Sequence, residues 1–556
     1  MSTRKPLTDL GTHRVTNQPS PLENFNAFDT DRALQEGLKR EAHNHGEDRA
    51  RRLGEEVGSE QTIHAGHLAN QYPPSLHCFD RFGQRIDEVE YHPAYHEMMH
   101  LGFGHEIHSI PWQDEGEAGH VIHAAMIYLL TQAEAGVCCP LAMACAAVPS
   151  LRRQPDLASE WLPGILSAQY DSRSIPADEK KGLTIGMAMT EKQGGSDVRS
   201  NTSTAVPVAI RGPGKEYLLT GHKWFCSAPM SDAFLTLAQT GNGLSCFLVP
   251  RWLPDGSRNR FYIQRLKDKL GNRSNASAEI EFNDTLGFLV DGEGKGVRTI
   301  IEMVDHTRLA AAASGAGLMR AALAQAIHHA GQRKAFGKLL IDQPLMKNVL
   351  ADLALEVEAA TALFLRIARG YDNSRSEVAA GLFRRIGTAV TKYWINKRTP
   401  VVVSEALECL GGAGFVEESL LPRLYREAPL NGIWEGSGNV VCLDVLRTLN
   451  KEPDSADAFL AEIETARGID NRVDSCVESI KRILVSLTVD EQSARRIVEK
   501  MALCLQAVLL IQYAPPEIAD AFCATRLGKD WGHAFGTIPS GLPLNDIVER
   551  ANPDRL

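Results

Sequence analysis

The stretch Asn431-Gly-Ile-Trp-Glu-Gly-Ser-Gly-Asn-Val-Val-Cys-Leu-Asp-Val-Leu-Arg447 sets one carboxylate, Glu435, between an apolar pair, Ile433 and Trp434, and a Gly436-Ser437-Gly438-Asn439 turn. Beyond the turn, Val441, Leu443, Val445, Leu446 and Leu449 recur at helical spacing. The turn therefore reads as the start of a helix, with Ser437 or Asn439 placed to cap free backbone N–H groups. A carboxylate beside an indole loses hydration, and desolvation disfavours its charged form and raises its pKa. Such a group suits removal of a proton from a weakly acidic carbon. The glycines let a flat ligand or its phosphates approach the backbone. Taken alone, the same residues also describe a solvated glutamate in a loop ahead of a core helix.

Four further stretches bear on that choice. Met187-Ala-Met-Thr-Glu-Lys-Gln-Gly-Gly-Ser-Asp-Val198 is a glycine turn rich in hydroxyl and amide groups, and Gly221-His-Lys-Trp-Phe-Cys-Ser227 is an aromatic strand ending in a hydroxyl. Arg333-Lys-Ala-Phe-Gly-Lys338, with Gln343-Pro344 beyond it, is a basic and aromatic turn, and Leu410-Gly-Gly-Ala-Gly-Phe415 is another glycine turn. In this order, with Trp434-Glu435-Gly436 last, they resemble the acyl-CoA dehydrogenase superfamily. The wording of Thr190 to Asp197, Leu266-Lys-Asp-Lys-Leu-Gly-Asn-Arg-Ser-Asn-Ala276, Pro422-Arg-Leu-Tyr-Arg-Glu427 and Ile433 to Asn439 is closer to one branch, the AidB-type alkylation-response flavoproteins. The resemblance runs from about residue 60 onward. Jointly the motifs are specific; singly each is weak.

The resemblance implies an α+β, mainly α, fold. It predicts a helical N-terminal domain over 1–182, a β-barrel-like middle domain over 183–290, a four-helix bundle over 291–450 and an extra helical C-terminal domain over 451–556. It implies FAD as cofactor and Glu435 as the base that removes the proton next to a thioester carbonyl. Met189, Thr190, Gly195 and Ser196 match positions on the flavin and its chain. Phe225, with Trp224 as the alternative, takes the flavin-stacking place, and Ser227 takes that of a flavin-bonding hydroxyl. Arg333, Phe336 and Gln343 would reach the FAD of a neighbouring subunit, which implies a homotetramer. Gly411 and Gly412 would pass the adenosine end, and Trp434, Ser437 and Asn439 would contact FAD beyond the base. Family members usually carry Gln before the Gly-Gly pair; Glu408 is nearest here. Arg308, in Asp305-His-Thr-Arg308, matches an Arg tied to substrate or site polarity, against the reading of a helix-start ion pair. Arg447, Lys481, Arg482, Arg495 and Arg496 are the candidate contacts to double-stranded DNA. Phosphate contacts of this kind carry little sequence specificity.

Composition sets the outer bounds. The 556 residues allow several domains, and 44% hydrophobic with 23% charged is an ordinary soluble balance. A net charge of −10 argues against attraction of the whole protein to nucleic acid and leaves room for a local basic patch. Eleven cysteines without a CxxC pair read as reduced cytoplasmic thiols. The first two dozen residues read as a mobile arm with no apolar core of a signal peptide. Val121 to Val148, interrupted by His123, Glu134 and Pro140, reads as buried helix rather than a membrane span.

Helical patterns cover Asn24–Ala42 and Asp48–Gln71, then run from Pro93 to about 180 with breaks expected at Pro111, Pro140, Pro149, Pro155 and Pro163. Short β runs follow between 183 and 289. Helices are expected at Leu309–Gly331, Leu345–Tyr371, Glu377–Arg398 and Val402–Leu410, and beyond 450 at Asp457–Ala466, Asn471–Leu487, Glu491–Ala514 and Pro516–Leu527. Gly315-Ala-Gly317 sits inside a helical run, so it is no dinucleotide fingerprint. His96-Glu-Met-Met-His100 matches a zinc pattern, with His92, His105, His108, His120 and His123 as third ligands. Ten of the eighteen histidines fall between His64 and His123, which favours a chance match, and the expected metal is none.

The leading expectation is an FAD-containing, acyl-CoA dehydrogenase-like protein of the DNA alkylation response. It would bind duplex DNA without strong specificity, protect or repair it, and retain weak activity on short or branched acyl-CoA. The alternatives are a metabolic short- or branched-chain acyl-CoA dehydrogenase, a zinc peptidase, and a DNA-shielding protein that keeps FAD as structure.

Overall fold

The computed structural model describes residues 6–113, 118–253, 255–485, 490–528 and 532–554. The N-terminal part holds α1 (Arg32–Glu41), α2 (Glu47–Val57), α3 (Glu60–Gln71), a hairpin of β1 (Ser75–Phe79) and β2 (Arg85–Glu90), then α4 (Pro93–Gly104), α5 (Ile110–Gln113), α6 (Gly119–Ala133), α7 (Cys138–Leu151) and α8 (Pro155–Ile165). The expected single helix over Asp48–Gln71 divides at Gly58. There the Ser59 hydroxyl accepts from Thr62 N at 3.2 Å and caps α3, and a Cβ on Gly58 would lie 1.9 Å from Phe25 O. The breaks expected at Pro140, Pro149 and Pro163 do not occur. Pro140 stands in the first turn of α7, where its absent N–H has no intrahelical partner to lose. Pro149 and Pro163 fall near the ends of α7 and α8, where one lost bond is tolerated.

The middle part is β3 (Ile185–Ala188), β4 (Thr204–Pro207), β5 (Glu216–Ser227), β6 (Ala233–Thr240), β7 (Gly243–Pro250), β8 (Phe261–Leu266) and β9 (Ser277–Val290). The order is β3-β6-β4-β5-β9-β7, and antiparallel pairing of β6 with β7 closes the ring; β8 adds to β9. Closure leaves few edges to protect, and Tyr217, Phe234, Phe247, Phe261 and Phe282 fill the interior.

The bundle is α9 (Gly296–Gln332), α10 (Pro344–Asn373), α11 (Val378–Cys409), α12 (Gly412–Phe415), α13 (Leu421–Glu427) and α14 (Gly438–Lys451), with a small hairpin of β10 (Lys334–Ala335) and β11 (Lys338–Leu339) after α9. In place of the two helices expected over Glu377–Arg398 and Val402–Leu410, α11 runs unbroken through Pro400. Burial of Asn396, Thr399, Val402 and Val403 on both sides carries the helix past the missing bond. The C-terminal part is α15 (Pro453–Ile463), α16 (Asn471–Val485), α17 (Ala494–Tyr513), α18 (Pro516–Phe522) and α19 (Leu544–Arg550). Residues 486 and 487 of the expected Asn471–Leu487 helix lie outside the described residues. α17 packs on α10, α11 and α14, and Trp394 Nε1 donates to Gln506 Oε1 at 3.0 Å.

The N-terminal segment departs from the mobile arm expected of it. Asn17 exchanges bonds with Lys334 O at 2.9 Å and Lys334 N at 2.7 Å, and Ser20 N donates to Gln332 Oε1 at 2.8 Å. Polar residues without periodicity give no sign of this docking, because the partners are more than 300 residues away in sequence. Among the described residues no helix is long and apolar enough to cross a membrane.

Gly315 and Gly317 have a packing role. A Cβ on Gly317 would lie 2.5 Å from Tyr128 O on α6, and one on Gly315 would lie 2.2 Å from Asn396 Oδ1 on α11. We predict that Gly317→Ala forces α6 and α9 apart and lowers stability by about 1–3 kcal/mol. A reduced urea midpoint at unchanged m-value checks this.

Candidate active site

Trp434 Nε1 donates to Asn431 Oδ1 at 2.7 Å, and Asn431 Nδ2 donates to Ser314 Oγ at 3.2 Å, so the indole ahead of Glu435 is tied to α9. The next two residues turn through left-handed backbone, Glu435 at φ +56° and Gly436 at φ +101°. For a glutamate this conformation carries strain of about 1–3 kcal/mol and persists only where its surroundings enforce it. Here they do. Thr307 Oγ1 donates to Glu435 Oε2 at 2.8 Å, Arg308 Nε donates to Glu435 O at 3.0 Å, and Lys392 Nζ donates to Gly436 O. Arg308 Nη1 also meets Asp444 Oδ2 at 2.8 Å and Asp305 Oδ1 at 3.4 Å, while Arg385 takes Asp444 Oδ1 at 3.1 Å. The turn is thereby held by α9, α11 and α14 together.

Burial raises the Glu435 carboxyl above the usual range, and the Thr307 hydroxyl, Lys392 and Arg308 pull the other way. Burial also pushes the Lys392 ammonium down to about 7, opposed by Glu435. Arg308 stands mid-helix and is 5% exposed. It is no helix-start ion pair; its guanidinium clamps the Glu435 turn.

Across from this turn lies the end of the barrel. A register shift in β5 between Lys223 and Cys226 turns Trp224 and Phe225 out of the regular alternation. Phe225 is 49% exposed, and Lys267 Nζ sits 3.2 Å from the Trp224 ring centroid and 4.8 Å from that of Phe225. Trp224 N donates to Thr190 O at 2.7 Å, bringing the two flavin-matching stretches side by side. The turn after Thr190 is braced from beneath by Glu191. Its carboxylate accepts from buried Lys223 Nζ at 2.8 Å, Thr202 N at 2.7 Å and Ser203 N at 3.2 Å. Gly194 has φ +140°, and a Cβ on Gly195 would lie 2.5 Å from Thr190 Oγ1, so the turn closes only around glycine. Met189 O accepts from Asn201 Nδ2 at 3.0 Å, and Ser196 is exposed. Cys139 joins the halves. Burial pushes its thiol up to about 12, against the pull of Lys269, Ser227 and Asn275 and with the Glu435 charge adding to the rise.

This arrangement fits a flavin dinucleotide. It offers an accessible aromatic ring, a hydroxyl-lined turn cleared of Cβ atoms, and the N-terminus of α14, where Ser437 occupies the cap position without a side-chain cap bond. Asn439 Oδ1 accepts from Arg495 Nε at 2.8 Å. Gly411 has φ +60° and, like Gly412, open space around its Cβ position. The chain does not bring Arg333, Phe336 and Gln343 to this group. Arg333 donates to Asn17 O at 2.7 Å and Gln18 Oε1 at 3.0 Å, Gln343 Nε2 donates to Ala335 O at 3.1 Å, and Phe336 is 99% exposed. Of the basic residues, Lys481 pairs with Glu464 and Glu478, Arg447 lies 3.8 Å from Asp444, and Arg482 and Arg496 are exposed. His96 Nδ1 bonds Tyr170 Oη at 3.0 Å, and no metal-holding group of His, Cys, Asp and Glu occurs among the described residues.

Sequence reasoning missed Thr307, Lys392, Asp444, Glu191, Lys223 and Cys139. Thr307 adjoins Arg308 in a stretch already singled out, but Lys392 and Cys139 sit inside helical runs with nothing local to mark them.

Residues 17–172 match the family described as adaptive response protein AidB N-terminal domain, 186–285 the acyl-CoA dehydrogenase middle domain, and 294–450 the acyl-CoA dehydrogenase C-terminal domain. The chain is 45% identical to AidB of Escherichia coli (strain K12) over 97% of this chain and 98% of that one. It is 30% identical to acyl-CoA dehydrogenase family member 11 of Caenorhabditis elegans over 83% of this chain and 79% of that one. The solved structure of Caenorhabditis elegans ACDH-11 in complex with C11-CoA superposes with a TM-score of 0.84 at 27% identity, covering 94% of this chain and 96% of that one. The Bd2924 apo-form gives 0.81 at 28% identity, covering 89% and 99%. The chain belongs to the acyl-CoA dehydrogenase superfamily, in its AidB-type branch, and is an FAD-dependent oxidoreductase.

A base whose carboxyl is held above its usual range works only when deprotonated, so its rate falls as pH drops sooner than for an ordinary carboxylate. Thr307→Val removes a donor that favours the charged form. The pH profile of thioester-driven flavin reduction is expected to move to higher pH in that variant, and an unmoved profile counts against Glu435 as the titrating group.

Proposed function

We propose that the chain removes the proton next to the carbonyl of a short or branched acyl-CoA thioester through Glu435. Bound FAD supplies the acceptor for the hydride leaving the neighbouring carbon. The observation that carries this reading is the fixed, left-handed Glu435 turn, with one carboxylate oxygen on Thr307 and the backbone on either side held by Arg308 and Lys392. Thr307 and Arg308 keep the carboxylate aimed while it gains its proton. Lys392 lies close enough to stabilise it as an anion beforehand. Cys139 and Ser227 close the opposite wall. Met189, Thr190, Gly195, Ser196, Phe225, Ser227, Gly411, Gly412, Trp434, Ser437 and Asn439 are the residues proposed to hold FAD. The hairpin around Arg333, Phe336 and Gln343, with its outward Phe336, is proposed to serve a neighbouring subunit in a homotetramer.

The chain's likeness to AidB also supports a role in the DNA alkylation response, in the cytoplasm, with duplex DNA held through the C-terminal part beyond residue 450 and the adjoining end of the bundle. Exposed Arg447, Arg482 and Arg496 are the available phosphate contacts. Lys481 and Arg495 contribute less in this reading, since Glu464, Glu478 and Asn439 already engage them.

The test of the chemistry is anaerobic bleaching of the flavin by a panel of short acyl-CoAs. Glu435→Gln is expected to slow it by about 10²–10⁴-fold with the flavin still bound; bleaching at the parent rate would remove Glu435 from the mechanism. The test of the second role is gel retardation of duplex DNA across a salt series. Replacing Arg447, Arg482 and Arg496 with Glu is expected to weaken binding equally on unrelated sequences and to lower the salt slope by about one for each phosphate no longer neutralised. No retardation of the parent at low salt would exclude the role.

A further inference from the structure

A cavity of about 140 Å³ lies where the β1–β2 hairpin meets the end of β7 and the start of β8, and no residue placed in the active site lines it. Its wall includes Arg85, Asp87, Arg251, Trp252, Arg258 and Arg260. Arg251 is 6% exposed and donates to the carbonyls of Pro229 and Asp87, and no carboxylate bonds it among the described residues. Asp87 is 4% exposed at φ +44°, accepts from Arg85 Nε at 2.8 Å through Oδ2, and leaves Oδ1 buried without a partner among the described residues. Arg258 lies 4.9 Å from the Trp252 ring centroid and bonds Glu88 at 2.9 Å, while Arg260 reaches 3.6 Å from Asp284. Glu88 and Asp284 are 47% and 55% exposed, so each offsets its arginine weakly. Burial and neighbouring Arg258 push the Arg251 guanidinium down to about 10, as expected of a cation short of counter-charge.

An underpaired buried cation, an unmet buried acceptor and a strained aspartate thus meet at one cavity. A buried polar group left without a partner calls for an explanation, and a donor on a bound ligand is one. We infer that this cavity binds a small phosphorylated molecule of the nucleoside monophosphate class, with its phosphate on Arg258 and Arg260 and a hydroxyl or amino donor on Asp87 Oδ1. Guanidinium groups suit phosphate oxygens, and Trp252 at the wall offers a face for a flat ring. The cavity takes the phosphate and sugar and leaves the ring at the mouth. A duplex fits the place poorly, because a cavity of about 140 Å³ does not admit a double helix. The inference stands independently of the Glu435 chemistry.

Calorimetric titration of the flavin-loaded full chain with AMP, inorganic phosphate and adenosine tests it. One AMP per chain is expected, bound more tightly than phosphate or adenosine, with the flavin spectrum unchanged. Arg260→Met, at an exposed side chain, and Asp87→Asn, which tolerates left-handed backbone, are each expected to weaken AMP by about tenfold or more. Absence of saturable heat up to about 10 mM AMP overturns the inference. So does equal affinity in both variants, adenosine binding as tightly as AMP, or displacement of AMP by duplex DNA.

Discussion

The guanidinium of Arg308 is the contact on which the site depends. It joins Asp444 on α14 to α9 and holds the carbonyl of Glu435. Arg385 completes the pairing of Asp444 from α11. A planar fork with several fixed donors can serve a carboxylate and a carbonyl at once, which an ammonium cannot do with the same geometry. Without this bridge the Glu435 backbone would relax from its left-handed conformation, since nothing in its own covalent structure favours it.

The same logic recurs on the barrel side. Glu191 and Lys223 are buried together beneath the glycine turn, and their attraction offsets a desolvation that neither would survive alone. The pair shapes a surface that it does not reach. Two buried ionic groups, one on each wall of the candidate site, thus hold its backbone.

The termini have a related place. Arg320 on α9 donates to Thr30 O at 2.7 Å and to Ala551 O at 2.7 Å, so one side chain holds the beginning and the end of the fold on the central helix. Arg526 is fully buried against Asp352 and Glu356 of α10. The C-terminal part is accordingly a wall of the bundle, and Arg495 carries it to within one hydrogen bond of the α14 start.

The order of classes, helical then β then helical, was legible from periodicity, and the candidate Glu435 stood out by its Trp and glycine neighbours, because these signals are local. The docking of residues 17–20, the continuity of α11 through Pro400 and the persistence of α7 and α8 through their prolines were not, since each is decided by contacts distant in sequence. The same holds for Lys392 and Cys139, ordinary residues of helical runs whose meaning comes from what faces them. The sequence by itself determined the order of helical and β segments and singled out Glu435 as the carboxylate to examine. Only the tertiary structure decided how the Glu435 carboxylate is held and how its proton affinity is set, because backbone strain, burial and charge pairing are properties of segments brought together from α9, α11 and α14.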